Sequence, residues 1–204
     1  MRILAFSDLH MSRARAADIV AASASADLVI GAGDFCNMRD GLDRALAMLD
    51  GLAAPMIAVP GNAESADELR AAARPGTTVL HGEAVTVGGL RLFGLGYGVP
   101  LTPFGDWSCD LTEAEAAAML GRCDGADILV SHAPPKGVAD VTSAGLSVGS
   151  TAVRDAALRL GPRLLLCGHI HDSWGQGGSI GPTSVHNLGP TVNWFEMEGG
   201  DGRH

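Results

Sequence analysis

Five short stretches carry residues able to hold a metal ion: Asp8-Leu9-His10, Gly31-Ala32-Gly33-Asp34, Gly61-Asn62, Ser131-His132 and Gly168-His169-Ile170-His171. Together they offer two carboxylates, four imidazoles and one amide oxygen. A mixed oxygen and nitrogen set without thiolate suits Mn²⁺, Fe or Zn²⁺ better than Ca²⁺ or Cu(I). The seven ligands exceed what one tetrahedral ion needs. They suit two divalent ions sharing one carboxylate, about 3.5–4 Å apart. Singly, each motif is weak. D-x-H arises by chance, a lone histidine is commonly a packed residue, and Gly33-Asp34 also reads as a plain turn. H-x-H is stronger, because alternate residues just past a strand can point the same way. Their shared position raises the signal: each stretch follows an apolar run that reads as a buried strand.

The elements that must position these residues follow a simple alternation. "RILAFSD", "DLVIGAGD" and "PMIAVPG" read as strands, followed by helices over Arg13–Ser25, Arg39–Leu52 and Ser65–Ala73. Residues Thr78–Leu95 alternate around Gly88-Gly89, a hairpin signal. A long loop, Gly96–Asp110, is rich in Gly, Pro and aromatics. Thr112 with Glu115 is a capping box opening a helix to about Cys123. "DILVSHAPP" and "RLLLCGHIH" are further strands, with a helix between them capped by Ser150 or Thr151 and ending near Leu160. "SVHNLG" and "VNWFEME" complete the sheet structure. Alternating strands and helices imply an α/β fold, with buried sheets covered by helices. The carboxyl ends of such strands converge on one crevice, where ligands bind. With no repeat or linker, residues 1–198 are expected to form one domain and 199–204 a disordered tail.

In this order, D-x-H, G-x-G-D, G-N-x-E, S-H-A-P and G-H-x-H resemble the signature of the calcineurin-like metallophosphoesterases, from Asp8 to His171. The resemblance implies two mixed β-sheets packed as a sandwich flanked by helices. It implies that Asp8, His10 and His171 bind one metal, that Asn62, His132 and His169 bind the other, and that Asp34 bridges them with a water or hydroxide. The cofactors are then two divalent ions, Mn²⁺ first, with Fe, Zn²⁺, Ni²⁺ or Co²⁺ as alternatives. Asp34, Asn62 and His132 would act in catalysis through those metals. One position departs from the family. Most members read Gly-Asn-His, and that His is held to stabilise or protonate the leaving oxygen; here the residue is Ala63. Some small bacterial and archaeal members also lack this His, and they resemble phosphodiesterases. A trafficking scaffold of the same fold has departed from the signature at its metal positions.

The function implied is therefore a metal-dependent phosphoric ester hydrolase acting on small phosphate esters, diesters before monoesters. The rival reading is a non-catalytic or weakly active metal-bound scaffold, and a third is a nuclease for short or single strands. Bulk properties narrow the choice. The 204 residues are 47% hydrophobic and carry a net charge of −9. Mean hydropathy is +0.20. Thirteen of the fourteen basic residues are Arg, with Lys136 the lone Lys, and they form no stripe. Long nucleic acids rely on clustered basic residues and are not expected as partners. No apolar run reaches the roughly 18 residues of a membrane span. A strand at Arg2–Phe6 leaves no room for a signal peptide, so a cytoplasmic location is expected. Cys36, Cys109, Cys123 and Cys167 lack metal-site spacing and read as free thiols, with Cys36 and Cys167 packed.

Several other residues have two readings each. Phe104 and Trp107 either stack on a base or aryl group or simply pack. Trp174 lines the same cavity or packs. Arg13 contacts phosphate or lies at the surface. Glu64 bonds Asn62 or caps a helix. His81 and His186 read as packing or surface residues, His204 as surface, and Arg154 and Asp155 as surface charges.

Overall fold

Strand alternation decides the layers of the fold. The computed structural model describes residues 1–198, and the tail 199–204 lies outside the described residues. In β1 (Arg2–Phe6), Ile3 and Ala5 enter one core while Leu4 and Phe6 enter another, as the two-residue period requires. β1 pairs in parallel with β2 (Leu28–Gly31), β2 with β3 (Met56–Ala58) and β3 with β4 (Thr77–Val79). β11 (Asn193–Glu196) joins antiparallel to β1, giving the order β11-β1-β2-β3-β4.

The second sheet has six strands: β5 (Glu83–Val87), β6 (Leu90–Leu95), β7 (Ile128–Ser131), β8 (Leu164–Cys167), β9 (Gly177–Ile180) and β10 (Thr183–Asn187). Its order is β5-β6-β7-β8-β10-β9, parallel from β6 through β10 with an antiparallel strand at each edge. Ile3, Ile30 and Ile57 of the first sheet meet Leu92, Ile128 and Leu166 of the second in a shared inner core. Fully burying one such side chain contributes about 1.5–3 kcal/mol. Helices α1 (Arg13–Ser23), α2 (Leu42–Ala47) and α3 (Ala66–Ala72) send Ile19, Leu46 and Leu69 into the core beneath the first sheet. Helices α4 (Glu113–Leu120) and α5 (Thr151–Leu160) send Leu120 and Val153 into the core beneath the second. The layers are thus α/β/β/α, the sandwich of two mixed sheets that the signature implied.

Two local expectations are corrected and one strand is added. The helix read over Arg39–Leu52 is shortened to α2: Met38 (φ 46°), Arg39 (φ 64°) and Gly41 (φ 77°) take left-handed conformations that delay its start, and beyond Ala47 the backbone bonds of Leu49, Asp50 and Leu52 tighten to the residue three back, as turns. The stretch Thr78–Leu95 is not one hairpin. Its first residues belong to β4 in the first sheet, and only β5 and β6 pair around Gly88-Gly89. Those two glycines have φ 55° and 81°, as a tight two-residue hairpin turn needs. Finally, β9 is an addition to the sequence reading: "GGSI" is a mostly exposed edge strand with little apolar patterning.

Candidate metal centre

Every residue named from the five stretches arrives by the same route. β1 runs into Asp8 and His10, β2 into Asp34, β3 into Asn62, β7 into His132, and β8 into His169 and His171. The two sheets aim their carboxyl ends at one crevice, and all seven side chains meet there. Asp8, His10, Asp34 and His171 each offer a ligand atom within 4.8 Å of the others, and Asp34, His132 and His169 do the same. Asp34 belongs to both groups. The Asn62 amide oxygen completes the second, 3.2 Å from His132 Nε2 and 3.0 Å from His169 Nδ1.

The backbone is bent to achieve this. Asp8, His10, Asp34 and His169 all have positive φ, at 53°, 44°, 57° and 68°. Such conformations cost of order 1–3 kcal/mol each for non-glycine residues and persist only where surroundings over-determine them. The close approach also needs glycine. A Cβ on Gly61 would sit 2.0 Å from Asp34 Oδ1, and one on Gly168 would sit 2.4 Å from Asp8 Oδ2.

Hydrogen bonds settle which ring nitrogens face inward. His132 Nδ1 lies 2.8 Å from the Ala32 carbonyl and donates to it, so Nε2 turns a lone pair into the site. His10 Nδ1 faces the Cys36 carbonyl and Asn37 Oδ1, leaving Nε2 3.1 Å from His171 Nε2 and 3.5 Å from Asp34 Oδ2. In the protein alone, burial pushes the Asp8 carboxyl upward. Asp34 is lowered, because His132, His10 and His169 outweigh its burial. Burial, reinforced by His132, brings His169 down to about 3, so its imidazole is neutral and can act as a ligand. Lone pairs converging on lone pairs and on two buried carboxylates repel unless cations or protons lie among them. The donor set therefore fits two divalent cations.

The supporting residues were mostly not found from sequence. Glu64 is fully buried and accepts from the backbone N–H of Gly61 (2.7 Å), Asp34 (2.8 Å), Phe35 (3.1 Å) and Cys36 (3.3 Å). It bonds neither Asn62 nor a helix N-terminus; it ties the Asp34 turn to the Asn62 turn. Burial pushes its carboxyl up to about 7. Ser65 and Glu68 form the capping box of α3 instead. Trp174 packs against His171, ring centroids 4.2 Å apart, and its Nε1 donates to Asp8 Oδ2 at 3.1 Å. A further network holds Asn62. Its Nδ2 donates to Ser108 Oγ at 3.0 Å, and Ser108 Oγ donates to Asp110 Oδ1 at 2.9 Å. Thr102 donates from both N and Oγ1 to Asp110 Oδ2. The signal for this network was a Ser-x-Asp at the end of the aromatic loop, which no spacing rule singles out.

Of the remaining candidates, Phe104 and Trp107 stack on each other, centroids 5.7 Å apart, and line a cavity of about 350 Å³ with His10, Asp34, Asn62 and His169. Arg13 is exposed on α1 and is not among the residues lining this cavity. Arg154 is not a free surface charge: its Nη1 donates to the Lys136 carbonyl at 2.7 Å. His81 accepts from the Gly96 N–H and packs on Tyr97, and burial lowers it to about 4. His186 pairs with Ser184. Both lie outside the centre, and His204 lies outside the described residues. All four cysteines are free.

Comparison with known proteins places this geometry. The model of the calcineurin-like phosphoesterase family matches residues 1–173. Human metallophosphoesterase domain-containing protein 1 is 33% identical over 120 residues, which are 56% of this chain and 36% of that protein; the mouse protein gives the same figures. The matched stretch thus spans little more than a third of those relatives. A protein of Thermus thermophilus superposes with a TM-score of 0.71 at 16% identity, covering 95% of this chain and 97% of that one. A dimetal phosphatase from Danio rerio does so with a TM-score of 0.60 at 14% identity, covering 93% and 88%. At such identities the structures speak to fold alone. The family match across most of the chain goes further, and on that ground the protein belongs to the calcineurin-like phosphoesterase family.

Proposed function

We propose that the chain is a dinuclear metal-dependent phosphoric ester hydrolase acting on small phosphate esters, preferentially diesters. The observation that carries this reading is the pair of ligand groups meeting at Asp34. Asp8, His10 and His171 would hold one ion, Asn62, His132 and His169 the other, and Asp34 both. Mn²⁺ is the ion proposed, with Fe, Zn²⁺, Ni²⁺ and Co²⁺ to be tested against it. Two such ions supply Lewis-acid stabilisation of phosphoryl oxygens and lower the pKa of water at the site. The reading takes residues 1–198 as one domain, supported by the core that both sheets share. A cytoplasmic setting is supported by the four unpaired cysteines. No helix among the described residues is long and apolar enough to cross a membrane.

The protein's own residues define the remaining work. Buried Asp8 and Asp34 make the centre attractive to cations, and two divalent ions would leave it formally about +2. With such ions bound, that local charge would favour an anionic ester despite a net charge of −9. Trp174 and Ser7 hydrogen-bond Asp8 and hold its orientation. Ser108 holds the Asn62 amide so that its oxygen points inward. Phe104 and Trp107 line the cavity and give it an apolar wall. No imidazole is available at residue 63, where Ala63 is buried and its N–H donates to Asp34 Oδ1 at 2.8 Å. Diesters with good leaving groups suit a site of that kind.

The test is hydrolysis of bis-p-nitrophenyl phosphate and p-nitrophenyl phosphate by protein whose metal content has been measured. Turnover is expected with Mn²⁺, faster for the diester, and Asp34→Asn is expected to lose both bound metal and activity. Metal-loaded protein inert toward both esters with Mn²⁺, Ni²⁺, Co²⁺ and Zn²⁺ would defeat the reading. It would favour a scaffold that uses metals only to hold its loops.

A further inference from the structure

Beside the metal centre the surface turns apolar. The cavity over the ligands shares Phe104, Thr142, His169 and Ile170 with a second hollow of about 670 Å³. Two loops face each other across it. The loop after β6 contributes Leu101, Pro103 and Phe104, and the loop after β7 contributes Val148. Seven large apolar side chains are exposed among the described residues, and four of them, Leu101, Phe104, Val141 and Leu146, lie on these two loops. Of these, Leu101 and Phe104 line the hollow itself; single exposed apolar residues are ordinary, whereas apolar residues grouped along a cavity mark a binding surface.

The groove is lined by two residues of opposite charge, Lys136 and Glu113, each hydrogen-bonded to its own surroundings. Lys136 Nζ donates to the Ser147 carbonyl. The Glu113 carboxylate accepts from Ser150 Oγ at 2.8 Å, Thr151 N at 2.9 Å and Ala152 N at 2.8 Å. No arginine lines this hollow. A substituent carrying several further negative charges, such as a polyphosphate, would lose water there and meet one ammonium, Lys136, set against one carboxylate, Glu113. An apolar group would instead remove Leu101, Phe104, Val148 and Ile170 from water while its phosphate stays at the metals.

We propose that the substrate is a phosphodiester whose second substituent is uncharged and apolar, an alkyl chain or an aryl ring, and that this groove holds it. The inference rests on the phosphoesterase reading and adds the substrate class. It is tested with p-nitrophenyl phosphodiesters bearing methyl, butyl, octyl or phenyl as the second group, so that the leaving group never changes. With metal-loaded protein, kcat/KM is expected to rise by on the order of tenfold or more from methyl to octyl, each fully buried methylene giving up to about fourfold. A phenyl ester above the octyl ester assigns the groove to rings, and the reverse order assigns it to chains; either supports the proposal. A second readout needs no turnover. Calorimetry with methyl-, butyl- and octylphosphonate is expected to give tighter binding and a more negative heat-capacity change as the chain lengthens. Leu101→Ser, at a side chain 61% exposed and therefore safe for folding, is expected to lower the octyl-to-methyl ratio, as is Val148→Ser. Turnover that is flat across the series, with equal phosphonate affinities, overturns the inference and leaves the phosphoesterase reading standing. The same flat result with concentration-dependent dimerisation would assign the groove to a second copy of the chain. Failure of every ester, with phosphonates still ranked by length, overturns the hydrolytic reading instead.

Discussion

At residue 63 the chain presents a methyl group where the related signature carries an imidazole. A positioned general acid contributes roughly 10²–10⁴ in rate, and Ala63 can hold only backbone: its N–H braces Asp34, and its carbonyl accepts from Arg39 N and Cys36 Sγ. The leaving group must then depart without a proton from this position. Across a series of diesters differing only in leaving-group pKa, kcat/KM is therefore expected to fall steeply as that pKa rises. A flat dependence, measured by steady-state kinetics, would mean that another group donates the proton. Neighbouring Glu64 has a different character, a buried carboxyl that accepts from four backbone N–H groups. It helps to offset the strained backbone at Asp34.

Elements act here through their ends. The loop Gly96–Asp110 carries the aromatic pair at its tip, while Thr102, Ser108 and Asp110 at its base tie it to the Asn62 amide. Removing a residue that orients a metal ligand typically costs 10–100-fold in metal affinity. Ser108→Ala is expected to weaken occupancy of one metal position by about that factor in a chelator titration, and Ser108→Thr, which keeps the hydroxyl, to restore most of it. A second device is structural. Glu113 of α4 caps the first turn of α5, a contact between helices far apart in sequence. Burial tends to raise Glu113, but the N–H groups of Ala152 and Thr151 and the Ser150 hydroxyl outweigh it, so its pKa in the folded chain lies below the ordinary 4.5. A depressed carboxylate stabilises the fold fully above its unfolded pKa and loses that contribution as pH falls through the folded value. Glu113→Gln is accordingly expected to cost about 1 kcal/mol at neutral pH. In urea melts the difference from the parent should shrink as pH is lowered from about 6 to about 3.

The molecule as a whole joins two sheets at one edge of the sandwich. Asp8, His10, Asp34 and Asn62 hang from the first sheet, and His132, His169 and His171 from the second. Ions bound among them would bind only the assembled sandwich, not the unfolded chain. At a free concentration of 100 times the dissociation constant, such a ligand adds about 2.7 kcal/mol. For a chain of 204 residues, 1 kcal/mol moves Tm by about 2–4 °C. Excess Mn²⁺ is thus expected to raise Tm by roughly 5–10 °C over protein treated with a chelator. A calorimetric scan showing no shift would mean that the two sheets do not share bound ions.

The alternation of strands and helices, the order of the ligand stretches and the capping box at Thr112 were legible in the sequence, because each depends on neighbours a few residues apart. Hydrophobic period and turn chemistry set where strands end, and the candidate ligands sit at those ends. What the sequence could not disclose is the set of contacts between residues distant along the chain. Glu64 reads as a helix cap until the Asp34 turn folds over it. Ser108 and Asp110 read as loop residues until Asn62 arrives from β3. The split of Thr77–Leu95 between two sheets, like the late start of α2 at Leu42, depends on pairing and on left-handed residues that no local pattern announces. Local chemistry chose the ligands and the strands that carry them. Only tertiary packing decided their mutual orientation and the apolar groove beside them, because hydrogen bonds and burial across 30 to 166 residues of chain exist only once both sheets have closed.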